Sequence, residues 1–209
     1  MKGVKRWFIL AAGMALLAPA GFSQAPDSAP AISRLDALQN YRTGRDLEGR
    51  SRMEEAERYY AEAVRICRDE LARNSSNMDS YTVLTWTLQR QQKYGEVISW
   101  GEQALRVQND YRIIETMGEA YFYLNDFPQC RRFMQRYVNA LPQGDRAAVA
   151  YFFIGEIYRI ESKFLLADIA YTTAVRLEPG SALWWYRLGS VRESAGDAAP
   201  AAEAYERAL

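Results

Sequence analysis

The chain has 209 residues, with 26 Lys plus Arg against 26 Asp plus Glu and no histidine, so no global charge draws it to nucleic acid, whose binding rests on neutralised phosphates. The lack of histidine removes Ser-His and Cys-His nucleophilic arrangements and histidine-based zinc sites together. Neither a phosphate-binding glycine loop nor a cysteine pair at metal-ligand spacing occurs, and no cofactor or metal is expected.

Residues 1–25 read as a secretory signal. Lys2, Lys5 and Arg6 form a basic start, Trp7 to Ala18 is an apolar run, and small-residue sites follow at Ala18-Pro19-Ala20 and Ser23-Gln24-Ala25. The run is shorter than the roughly 20 apolar residues of a spanning helix, so a membrane contact is expected only through this segment if it stays uncleaved. No cysteine follows it to accept a lipid. Its loss leaves 23 basic residues against 26 acidic ones, a net charge of −3, in a periplasmic or otherwise exported protein. Residues 26–36 are a linker, rich in Pro, Ser and Ala at its start.

From residue 37 to 209 one pattern recurs about every 34 residues. The first copy, 37–77, carries Gly44, Leu47, Ala56, Tyr60 and Ala63; the second, 78–110, has Tyr81, Leu84, Leu88, Val97 and Ala104, with Thr85 where the others have Gly. The third, 111–147, has Ile114, Met117, Gly118, Tyr121, Cys130, Met134 and Pro142. The fourth, 148–181, is the clearest, with Tyr151, Ile154, Gly155, Tyr158, Ala167, Tyr171, Ala174 and Pro179. The fifth, 182–209, repeats it with Trp185, Leu188, Gly189, Ala201, Tyr205 and Ala208.

Within each copy the apolar residues fall at helical spacings on two stripes, and small residues such as Gly155 and Ala167 allow two helices to approach closely. Glu161-Ser162-Lys163-Phe164, Asp126-Phe127-Pro128 and Gly196-Asp197 are tight turns, while Glu178-Pro179-Gly180-Ser181 supplies a stop and the next cap. Period-two alternation is absent, which predicts about ten helices and no sheet. The second helix of the first copy, Arg52 to Arg73, runs about two turns past the repeat length, as an end cap or as a projection for a partner. The last copy lacks a polar helix after it, which places Leu183, Trp184, Ala208 and Leu209 near an uncovered face and allows either a monomer or an end-to-end dimer.

This pattern resembles the tetratricopeptide repeat, with its W-x2-L-G-x2-Y, A-x3-F and P positions. The resemblance implies an all-α, right-handed solenoid of five stacked helical pairs. It further implies a concave groove lined by the first helix of each pair. Carried onto this chain, the groove residues are Tyr41, Arg45, Thr82, Trp86, Gln89 and Arg90, then Glu115, Glu119, Phe122 and Tyr123. Phe152, Glu156 and Arg159 follow, and finally Tyr186, Ser190 and Glu193. The Lys and Asn set of the chaperone-binding carboxylate clamp is missing from these columns. Core packing is the competing reading for each aromatic; Trp86 and Phe152 lie off their strongest apolar stripes, and Trp185 takes a core column from which Trp184 must turn away.

Cys67 and Cys130 sit two stacking steps apart, too far for a disulfide; Cys130 is expected as a buried small hydrophobe and Cys67 as partly exposed on the helical extension. Arg131, Arg132 and Arg136 read as a solvated face. Glu115 and Glu119, four residues apart, are placed to share a proton, but nothing around them suggests catalysis, and the chain is read as non-enzymatic. Two functions stay open: an exported scaffold binding a protein or peptide of the cell envelope, or a binding module for a small apolar ligand associated with a transporter.

Overall fold

The structure, a computed structural model, describes residues 35–209; the signal-like segment lies outside them. Ten helices follow in order: α1 Ala37–Gly49, α2 Met53–Arg73, α3 Met78–Arg90, α4 Tyr94–Val107, α5 Tyr111–Tyr123, α6 Phe127–Ala140, α7 Ala147–Ile160, α8 Phe164–Leu177, α9 Ala182–Ala195 and α10 Ala198–Glu206. Among the described residues there is no strand. Each helix packs on the next along the chain, and α1, α3, α5 and α7 also meet in sequence, forming the inner row of a right-handed α-solenoid.

Local chemistry sets the boundaries. Asp36 and Gln39 form a reciprocal capping box at α1, while Asn77, Asp110, Asp126 and Ser181 accept first-turn N–H groups at α3, α5, α6 and α9. Every turn inside a pair uses one left-handed residue: Ser51, Gln92, Asn125 and Ser162 at φ 57 to 60°, and Gly196 at 90°. The following N–H then closes on a carbonyl five residues back, as from Lys163 to Tyr158 at 2.8 Å and Asp197 to Arg192 at 2.9 Å.

The small positions of the repeat face a large side chain sixteen residues on. A Cβ added at Gly44, Gly155 or Gly189 would lie 2.5 to 2.7 Å from the ring of Tyr60, Tyr171 or Tyr205, and one at Gly118 would meet Met134 at 2.9 Å. The second copy inverts the pair. Thr85 takes the small position, fully buried, with its hydroxyl donating to the Tyr81 carbonyl at 3.0 Å, and Gly101 takes the large one. The room over Gly101 is filled from the next copy by Met117, whose sulfur would lie 2.5 Å from an added Cβ.

The structure corrects three local expectations. Cys67 is fully buried, not partly exposed, because the extension of α2 lies against the second copy. Arg68 pairs with Glu96 at 2.6 Å, Ser80 donates to Glu70 at 2.6 Å, and Leu71 is buried. The extension is thus packed along one face on the second copy rather than a free projection. Trp184 is buried rather than turned to an uncovered face, and it is Trp185 that stays half-exposed, its ring under the Arg207 guanidinium at 4.8 Å. Both cysteines are free, and burial pushes each thiol up to about 12.

Candidate binding groove

The inner helices α1, α3 and α5 run side by side, so residues at equal repeat positions form rows across the concave face. Tyr41 of α1 meets Trp86 of α3 at a ring separation of 5.8 Å. This aromatic pair walls a cleft of about 360 Å³ lined also by Arg45, Gln89, Arg90 and, from α5, Arg112, Glu115, Thr116 and Glu119. Arg146, the residue before α7, closes its far side. A second cleft of about 530 Å³ begins on the other side of Trp86 and Arg112 and runs over the starts of α1 and α3 to Glu70 of α2. Trp86 is half-buried and stands in the wall between the two.

Seven of the sequence-selected residues therefore meet in the first cleft, Tyr41, Arg45, Trp86, Gln89, Arg90, Glu115 and Glu119, and Thr82 lines the second. The other eight line neither cleft. Phe122 packs edge-on against Phe153 at 4.9 Å, and Tyr123, half-exposed, stacks on Tyr94 at 4.8 Å. Phe152, expected to face the groove, is covered by Trp184 at 5.2 Å with the rings 17° from parallel. Glu156 is buried; its carboxylate accepts from the Tyr171 hydroxyl and pairs with Arg159 at 2.7 Å and Arg187 at 3.1 Å. Tyr186 is exposed at the far end beside Tyr205.

The electrostatic centre of the cleft is a carboxylate pair with one cation. Glu115 is buried and Glu119 partly so, four residues apart on α5, and the half-exposed Arg146 reaches both, pairing with Glu115 at 2.8 Å. Gln89 donates to the other Glu119 oxygen at 2.9 Å. Burial first, then the neighbouring Glu119 charge, holds the Glu115 carboxyl well above the usual range, with Arg146 opposing. Arg112 and Arg146 escaped the column reading because one points from the start of its helix and the other from a loop. A signal was nonetheless present: Glu115 and Glu119 have no basic residue four positions away on α5, so burial demands a cation from elsewhere.

No family model matches the sequence, and no curated protein matches it. Solved structures do. The MamA RS-1 ArsTM double mutant superposes with a TM-score of 0.65 at 17% identity, over 82% of this chain and 92% of that one. YrrB, titled a TPR protein with an unusual peptide-binding site, gives 0.55 at 20% identity over 83% and 84%. PilF of Pseudomonas aeruginosa gives 0.63 at 13% identity over 82% and 74%. With these neighbours and its own repeated small-to-large columns, the chain is a tetratricopeptide-repeat solenoid in fold.

Proposed function

We propose that this protein is a non-enzymatic scaffold that holds an extended segment of a partner protein in the concave groove of its first three copies. The observation that carries this reading is the placement of Trp86. It is a large, half-buried aromatic in the wall shared by two adjoining clefts, which is where an interface concentrates its binding energy. Arginine, the other side chain enriched in such anchors, stands on both sides of it. YrrB is described as having an unusual peptide-binding site, and the shared fold makes the same use of the groove a natural reading here. The cleft walls carry four arginines and two glutamates, a lining that favours a peptide over a small apolar ligand.

The signal-like residues 1–25 support an exported setting, in which the partner belongs to the cell envelope. A photo-crosslinking residue placed at Gln89 in the native organism tests the first reading. Adducts with a discrete envelope protein, lost when Trp86 is changed to Ala, support it. Native mass spectrometry that finds a retained lipid or metabolite in place of any protein adduct returns the small-ligand reading.

A further inference from the structure

The two clefts differ in charge. The first sets four arginines against Glu115 and Glu119, whereas the second sets Asp36, Glu70 and Asp79 against Arg42 and Arg112. The division has a structural origin. Asp36 caps α1, Asp79 lies in the first turn of α3, and Asp110 caps α5, as helix starts favour acids. Arg45 and Arg90 lie toward the ends of α1 and α3. Because the inner helices stack in parallel, caps and ends align into an acidic edge and a basic edge along one groove, with Trp86 between them.

Several of these charges are not answered within the molecule. Among the described residues no carboxylate pairs with Arg45, whose guanidinium stands 5.8 Å from the centre of the Tyr41 ring. Among the described residues no cation pairs with Glu70, which accepts there from the Ser80 hydroxyl, or with Asp36. An occupant that supplied a carboxylate to the first cleft and an ammonium to the second would complete both.

Resting on the groove reading above, we propose that the occupant is an extended peptide segment of divided charge. An apolar residue sits against Trp86, acidic residues on one side of it lie along Arg45, and basic residues on the other side lie along Glu70 and Asp36. Complementary charge of this kind selects and orients a partner more than it tightens one, so the groove discriminates peptides by charge order as well as by composition.

The test uses fluorescein-labelled twelve-residue peptides sharing a central Leu-Phe and differing in flanks: three Asp on one side and three Lys on the other, the same six charges alternating, six Asp, or six Lys. With the full chain at low salt, the divided peptide should bind about tenfold tighter than the other three, the sum of several exposed ion pairs. Arg45→Glu, an exposed position, should remove that preference and raise affinity for the six-Lys peptide, with the helical circular dichroism unchanged. If the alternating or single-sign peptides bind as tightly and Trp86→Ala weakens them, charge division is overturned and the groove reading stands. If none of the four shows Trp86-dependent binding, both fall.

Discussion

The first three copies and the last two apply the same repeat columns to opposite ends. In the first part, Tyr41 and Trp86 approach at 5.8 Å but leave open clefts on either side. In the second, Phe152 occupies the column of Tyr41 and is covered by the stacked ring of Trp184. Glu156, in the column of Trp86, is closed over by Tyr171, Arg159 and Arg187. A groove column is thus not a binding site by position alone. What the next copy places beside it decides whether the side chain meets solvent or becomes part of the stack.

The largest expected effect breaks this comparison directly. Phe152→Ala should cost up to roughly 3 kcal/mol, the lower limit for a fully buried Phe, because the ring is half-buried and its loss strips a partner from Trp184 and Tyr171. Trp86→Ala should cost about 1 kcal/mol or less in stability but weaken partner binding by about 2 kcal/mol or more. Urea midpoints and peptide titrations on the two variants separate the roles. Equal loss of stability in both would return Trp86 to the core and remove the distinction between the halves.

Next comes Gly155→Leu, with an expected cost of about 1 to 3 kcal/mol by overpacking. An added Cβ already meets the Tyr171 ring at 2.7 Å, and that ring is buried with its hydroxyl tied to Glu156. Thermal melting followed by circular dichroism measures it, and an unchanged midpoint would mean the pair tolerates bulk. Gly101→Ala should cost less, since the atom it meets is the flexible end of Met117.

Much of this was legible in the sequence, because the repeat forces local physics to declare itself. Gly44, Gly118, Gly155 and Gly189 each announce a large partner sixteen residues on, and the same offset from Thr85 reaches Gly101, so even the inverted pair was written there for a reader who compared both columns. The fate of Trp184 was not legible. Its column faces a neighbouring copy, and which of Trp184 and Trp185 is buried depends on Phe152 being there to stack upon. The site was half legible for the same reason. Helical columns located Tyr41, Trp86 and Glu119, but no period describes a loop, so Arg146 appeared only with the structure.

A smaller effect probes the acid pair on the groove floor. The Glu115 carboxyl is held above its usual range in the folded protein, so the folded state binds that proton more tightly than the unfolded chain does. Its contribution to stability is fully present below the ordinary carboxylate range and is lost as pH rises through the raised value. Glu115→Gln keeps a neutral hydrogen-bonding side chain beside Arg146. Urea midpoints over a pH series should therefore converge for the two proteins in acid and diverge above it, with wild type falling behind the variant. Parallel curves would show that Arg146 fully offsets the burial of both carboxylates.

The smallest expected effect is a control on the whole comparison. If the two parts of the solenoid differ because of what neighbours place in the groove columns, then features internal to a helical pair should behave alike in both. The turns are such a feature: Gln92 in the open part and Ser162 in the closed part both sit at φ 57°, a conformation that costs a residue with a side chain roughly 1 to 2 kcal/mol. Glycine removes that cost but loses about 0.5 to 1 kcal/mol more entropy on folding, so Gln92→Gly and Ser162→Gly should each stabilise by about 0.5 to 1 kcal/mol. The two gains should agree within measurement error in urea titrations, since neither turn residue lines the clefts beside Trp86. A clear gain at Ser162 with none at Gln92 would mean that the open part is already softer at the level of its helical pairs, and the cleft beside Trp86 would then reflect looser pairing in the first copies rather than the choice of neighbours.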